Sequence, residues 1–97
     1  MNILPKPISF EWDKWNIDKN FKKHNVTNIE AEEIFTNRPL KIFDDTKHSL
    51  LEKRFIAHGI THKKRKLTVI FTLRNQKIRI VSARDMNKKE VSRYEET

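Results

Sequence analysis

The spacing of apolar residues changes period at Pro39, and that change restricts the chain to folds in which helices precede a sheet. Ahead of it, Thr27-Asn28-Ile29-Glu30 has the Ser/Thr-x-x-Glu form of a capping box, and Ala31, Ile34 and Phe35 follow at the spacing of a buried helical stripe. Asn37-Arg38-Pro39 stops this helix. An earlier helix is expected from Lys14, capped by Asp13, to near Asn25, a residue type suited to the left-handed stop. Phe10-Glu11-Trp12-Asp13 reads as a short strand or entry segment.

Beyond Pro39 the period is two. Leu40 to Asp44 reads as a short strand, Asp45 to Ser49 as a turn, and Leu51 to Ile60 as a longer strand. Thr61 to Arg65 is a basic connection, after which Leu67, Val69, Phe71 and Leu73 alternate with Thr68, Ile70, Thr72 and Arg74. Ile78 to Arg84 is the last strand, and Asp85 is placed to cap a closing helix that runs to about Glu96. The expected fold is therefore α+β: two N-terminal helices, an antiparallel β-meander and a C-terminal helix, with the helices on one face of one sheet. At 97 residues this is one domain, 1–97, with residues 1–9 as a flexible lead.

Charge narrows the partner. Residues 1–48 hold eight basic and eight acidic residues, whereas residues 49–97 hold thirteen basic and five acidic, so the whole formal excess of +8 lies in the second half. A one-sided positive field attracts polyanions through counterion release, which makes nucleic acid the first partner to consider and an acidic protein the second. With no cysteine, disulfides and thiolate nucleophiles or ligands are excluded. No apolar run approaches the ~18 residues of a membrane span, and the opening Met1 to Pro7 lacks a signal-peptide hydrophobic region. A cytoplasmic protein without a membrane partner is expected.

Any chemistry must then use His, carboxylates, Lys/Arg, hydroxyls or Tyr. His58 and His62 would share a helical face for zinc, but Gly59-Ile60-Thr61 favours an extended chain that separates them by about 13 Å, so no metal site is expected. Nothing resembles a glycine-rich phosphate loop, a Ser-His-Asp triad or an EF-hand, and no cofactor is expected. His24 and His48 sit at element ends beside basic residues, where an imidazole can transfer protons near neutral pH. Along the strand from Leu51, Glu52 and Arg54 share a face with His58 and offer a base beside an anion stabiliser, or a simple ion pair. The last strand places Ser82 and Arg84 on one face and Arg79 on the other, followed by Tyr94 as a stacker, a proton donor or a packing residue. RNA carries its own nucleophile in the 2′-hydroxyl, so such residues suffice for its cleavage without a metal.

The ordered string Phe10-Glu11-Trp12-Asp13, Asn20-x-x-Lys23-His24-x-Val26, Glu30-Ala31 with Ile34-Phe35, His48-Ser49-x-x-Glu52-x-Arg54 and Arg79-Ile80-Val81-Ser82-Ala83-Arg84, closed by Glu90 and Arg93-Tyr94-Glu95, resembles the BrnT family of toxins. The resemblance runs from residue 10 to 95. It implies a RelE-like fold, an endoribonuclease that inhibits translation and growth, and a neutralising BrnA-type antitoxin through which alone DNA is contacted. It marks His24, His48, Glu52, Arg54, Ser82, Arg84 and Tyr94 as motif residues. On this reading Arg54, Arg79 and Arg84 hold the scissile phosphate, Glu52 or His48 handles the proton, and Tyr94 stacks or donates. Arg79, Ser82, Lys64, Arg65 and His24 are the expected RNA contacts. Asn25 stands where a Gly is usual, Val91 where a basic residue is common, and Lys64-Arg65 where Gly-Arg commonly opens the central strand. The competing readings are a basic module that binds without cleaving, and a decayed toxin that acts only with its antitoxin in repression.

Overall fold

The computed structural model describes residues 3–14, 19–49 and 51–96. Its elements are β1 (Phe10–Glu11), α1 (Lys19–His24), α2 (Asn28–Glu33), β2 (Lys41–Asp44), a 3-10 turn (Thr46–His48), β3 (Phe55–Ile60), β4 (Lys66–Arg74), β5 (Lys77–Asp85) and α3 (Lys88–Glu95). The expected start of the first helix falls partly on residues 15–18, outside the described residues. The capping box forms as expected: the Thr27 hydroxyl accepts from the Glu30 amide, and the Glu30 carboxylate accepts from the Thr27 amide.

Five strands make one sheet in the order β1-β5-β4-β3-β2. The meander β2 to β5 is antiparallel throughout, and β4 and β5 join through Asn75 and Gln76, both at positive φ. Such a left-handed pair matches the twist of a two-residue hairpin, so the tight turn forms without glycine. The sheet is nevertheless mixed, because β1 lies parallel to β5 with Phe10 opposite Ile78. A two-residue strand pairing across most of the chain has no local signature, which is why alternation showed only the antiparallel part.

Register separates two faces. One carries Phe55, Ala57, Leu67, Val69, Phe71, Ile78, Ile80 and Ala83, all buried, and packs on Ile34, Phe35 and Val26 of the helical half. Phe35 meets Phe71 edge-on at 5.2 Å, and Phe55 stacks on Phe71 at 5.4 Å. Each such side chain removed from water contributes about 1.5–3 kcal/mol. Gly59 permits a close approach of the end of α2 to the sheet, since a Cβ there would stand 2.7 Å from the Ile34 Cβ. Ile3, Leu4 and Ile8 are partly buried against the same core, and the Ser9 carbonyl accepts from the Ile78 amide.

The opposite face carries His58, Thr68, Ile56, Ile70, Ser82 and Arg84, and here the expectation of helices on one side only is corrected. α3 crosses one end of this face: Glu90 reaches Thr68 and Arg84, and the Tyr94 hydroxyl donates to the Pro39 carbonyl at 2.5 Å. Its cap is Asn87, not Asp85, because β5 continues through Asp85, whose carboxylate is taken by Arg65. The rest of the face stays open.

Candidate active site

Two corrections to the expected strands shape the open face. β3 begins at Phe55, not Leu51: the Ser49 hydroxyl accepts from the Arg54 amide and donates to the Asp45 carbonyl, which holds the chain in a turn up to Arg54. Leu51 is fully exposed, and Glu52 therefore leaves the sheet face on which alternation placed it. In β5, Ile70 pairs with Ser82 but Phe71 pairs with Ile80, so Val81 is one extra residue, a β-bulge. The bulge reverses the side-chain parity beyond it. Arg79 consequently faces the same side as Ser82 and Arg84, where strict alternation set them apart.

The result is a basin across the open half of this face. Its floor is Ile56, Ile70 and Val81; Ser82 and Arg84 stand along one side, and Asp45, Lys47, His48 and Arg54 along the other. The 3-10 turn supplies the key pair. Its start is pinned beside the entry to β3 by the Asp45 amide, which donates to the Arg54 carbonyl at 3.0 Å. The Asp45 carboxylate is buried, with a side chain 9% exposed, whereas His48 is 58% exposed. His48 Nδ1 lies 3.2 Å from both carboxylate oxygens. An ionised carboxylate only accepts, so Nδ1 carries the hydrogen in this pair and Nε2 is left as the proton-accepting nitrogen. Neither Asp45 nor Lys47 emerged from the sequence as a site residue. The Asp45-x-x-His48 spacing was the available signal, since a single tight turn brings such a pair together.

Arg54 lines the basin with its guanidinium in no ion pair among the described residues. Arg84 differs. Its two terminal nitrogens donate to the two Glu90 oxygens at 2.7 and 2.9 Å. That fork holds the Glu90 carboxyl down to about 2 and pushes the Arg84 guanidinium further up. His58 lies beneath, 3% exposed and 3.8 Å from Glu90, its pKa lowered by burial.

The other sequence-nominated residues lie elsewhere. Glu52 borders an adjoining depression with Lys47, His48 and Arg54, but both its oxygens accept from Arg74 at 3.1–3.3 Å. Arg79 is ion-paired with Asp13 and stands 3.8 Å from Glu11. Tyr94 is buried against Pro39, its pKa raised by burial, and so takes the packing role among those left open for it. His24, Lys64 and Arg65 sit at the far end of β3 and β4. There Arg65 donates to Asp85 at 2.6 and 3.0 Å, to Glu30, and to the carbonyls of Asn25 and His24. His62, which the extended chain separates from His58, lies against Glu33 and Asn37. Among the described residues no group of three His, Asp or Glu is placed to share a metal, and no helix is long and apolar enough to cross a membrane.

Comparison with curated proteins found no match. A family model described as the ribonuclease toxin BrnT of type II toxin-antitoxin systems matches residues 12–90, a span that includes every wall of the basin. Membership brings with it an RNA target and a protein antitoxin. With most of its length matched, the chain belongs to the BrnT family of ribonuclease toxins of type II toxin-antitoxin systems.

Proposed function

We propose that the protein cleaves RNA in the Asp45–His48–Arg54 basin through the substrate's own 2′-hydroxyl, without a metal ion. The observation that carries this reading is a buried carboxylate orienting an exposed imidazole beside a guanidinium that has no carboxylate partner among the described residues. His48 Nε2 accepts the 2′-hydroxyl proton as the O2′–P bond forms. The imidazolium returns that proton to O5′ as the P–O5′ bond breaks, leaving a 2′,3′-cyclic phosphate and a 5′-hydroxyl. Asp45 stabilises the imidazolium in between. Arg54 and Lys47 supply positive charge to the phosphorane oxygens, the task a metal would otherwise perform, and Ser82 with the outer edge of Arg84 orients the phosphate.

Between the two proton-transfer candidates the geometry favours His48, since Glu52 is neutralised by Arg74. Messenger cleavage of this kind stops translation in the cytoplasm, and a BrnA-type antitoxin would neutralise it and provide any contact with DNA. The order helix, helix, antiparallel strands, helix supports a RelE-like fold.

One observation favours the non-catalytic alternative: Arg84 has both terminal nitrogens committed to Glu90. Single-turnover cleavage of single-stranded RNA separates the readings. His48→Ala is expected to lower the rate by roughly 10²–10⁴ with RNA affinity retained. An unchanged rate in a folded His48→Ala protein would remove His48 from the mechanism, and RNA bound but never cut by the parent protein would leave the binding module.

A further inference from the structure

The open basin does not account for most of the positive charge. At the opposite end of β3 and β4, Arg65 ties the end of α1, the β3–β4 connection and the end of β5 into one corner through His24, Asn25 and Asp85. The Met86 amide donates to the Lys66 carbonyl and brings the start of α3 to the same place. Three carboxylates of this corner already have cationic partners, Glu30 and Asp85 on Arg65 and Glu95 on Lys66, and Glu33 accepts from the His62 amide. Lys63, Lys64, Lys88 and Lys89 are exposed around it, with no ion pair among the described residues.

Three of these lysines are placed against local stability. Lys64 adopts a φ of 71°, in the left-handed region that favours glycine. Lys88 and Lys89 open α3, where the helix dipole is positive and cations are disfavoured. Lys64, Lys88 and Lys89 thus carry unpaired charge at positions that local stability disfavours, around one corner.

We infer that this corner is a second RNA-binding surface, which holds the phosphate backbone of an extended single strand about 17 Å along β3 from the Arg54 end of the basin. The inference rests on the ribonuclease reading and names its substrate class: long single-stranded RNA, gripped away from the scissile bond. Arg65 organises the surface, and the lysines touch the strand.

The test uses full-length protein and the Lys63→Gln/Lys88→Gln/Lys89→Gln variant, with a long single-stranded RNA and a dinucleotide as substrates. For the long RNA, KM is expected to rise roughly tenfold, and the slope of log affinity against log salt to lose about 2, at about 0.7 per cation removed. Dinucleotide cleavage should not change, and thermal stability should not fall, because two lysines leave the positive end of a helix. Equal KM and salt slope on long RNA would overturn the inference, as would an equal rise in KM on the dinucleotide. If neither protein cut either substrate, the ribonuclease reading would fail instead, and direct binding of the long RNA would still decide the surface. Loss of antitoxin binding with RNA binding intact would assign the corner to a protein partner and overturn it.

Discussion

Arg54 and Arg65 flank the two ends of β3, and the sheet treats them in opposite ways. Arg65 donates to two carboxylates and two carbonyls, and its guanidinium is pushed further up by the Asp85 hydrogen bond. Arg54 faces a basin with no such partner among the described residues. A guanidinium whose donors are spent inside the protein holds elements together, whereas one whose donors remain free can meet a phosphate. Basic residues of the same type thus divide into those that build the fold and those available to a substrate, a division that net charge alone conceals.

Substituting each arginine in turn tests this contrast. Arg54→Ala is expected to lower the RNA cleavage rate by roughly 10²–10³, about 3–4 kcal/mol of barrier, while thermal unfolding moves by less than about 0.5 kcal/mol. Arg65→Ala should do the reverse, costing about 2 kcal/mol of stability, read as a fall in Tm of roughly 10 °C, because Asp85 and Glu30 lose their cation. Equal effects of both substitutions on both readouts would erase the distinction.

The Arg84–Glu90 fork lies between these cases, and pH exposes it. The Glu90 carboxyl is held at about 2 against an ordinary 4.5, chiefly by the hydrogen bonds from Arg84. A depressed folded-state pKa stabilises above the unfolded value, so this contribution is complete above about pH 4.5 and is lost as pH falls towards 2. Allowing for solvent screening at Arg84, it amounts to about 2 kcal/mol, and Glu90→Gln should flatten the acid limb of a stability–pH curve. The smallest effect is expected at Glu52. Because its carboxylate is occupied by Arg74, Glu52→Ala should slow cleavage less than about tenfold, and a loss as large as that for His48→Ala would make Glu52 the base.

How much of this was legible depends on how local each signal is. The Thr27–Glu30 box and the Leu67–Leu73 alternation are contained within a few residues, and both formed as written. The Asn87 cap was missed for Asp85 because both residue types cap equally well, and only the length of β5, set by pairing with Leu67, decides between them. The Val81 bulge reverses the faces of Arg79 and Ser82 without any change in composition that parity could detect. At the site, His48, Arg54, Ser82 and Arg84 were recognisable and do line one basin. Asp45 was not, because a carboxylate beside an imidazole gains meaning only once a 3-10 turn closes and buries it. The Tyr94 contact with Pro39 and the Arg65 corner join residues far apart in the chain, beyond the reach of any local pattern.

Transesterification by protein side chains alone needs no metal and marks the ends of the RNA it cuts. End-labelled single-stranded RNA is incubated with purified protein in excess chelator, alongside Arg54→Ala prepared identically, and the product ends are analysed. The parent protein is expected to leave 2′,3′-cyclic phosphate ends, and the variant at least a hundredfold less product. Cleavage abolished by the chelator, ends bearing a 3′-hydroxyl, or equal activity in Arg54→Ala would contradict this mechanism.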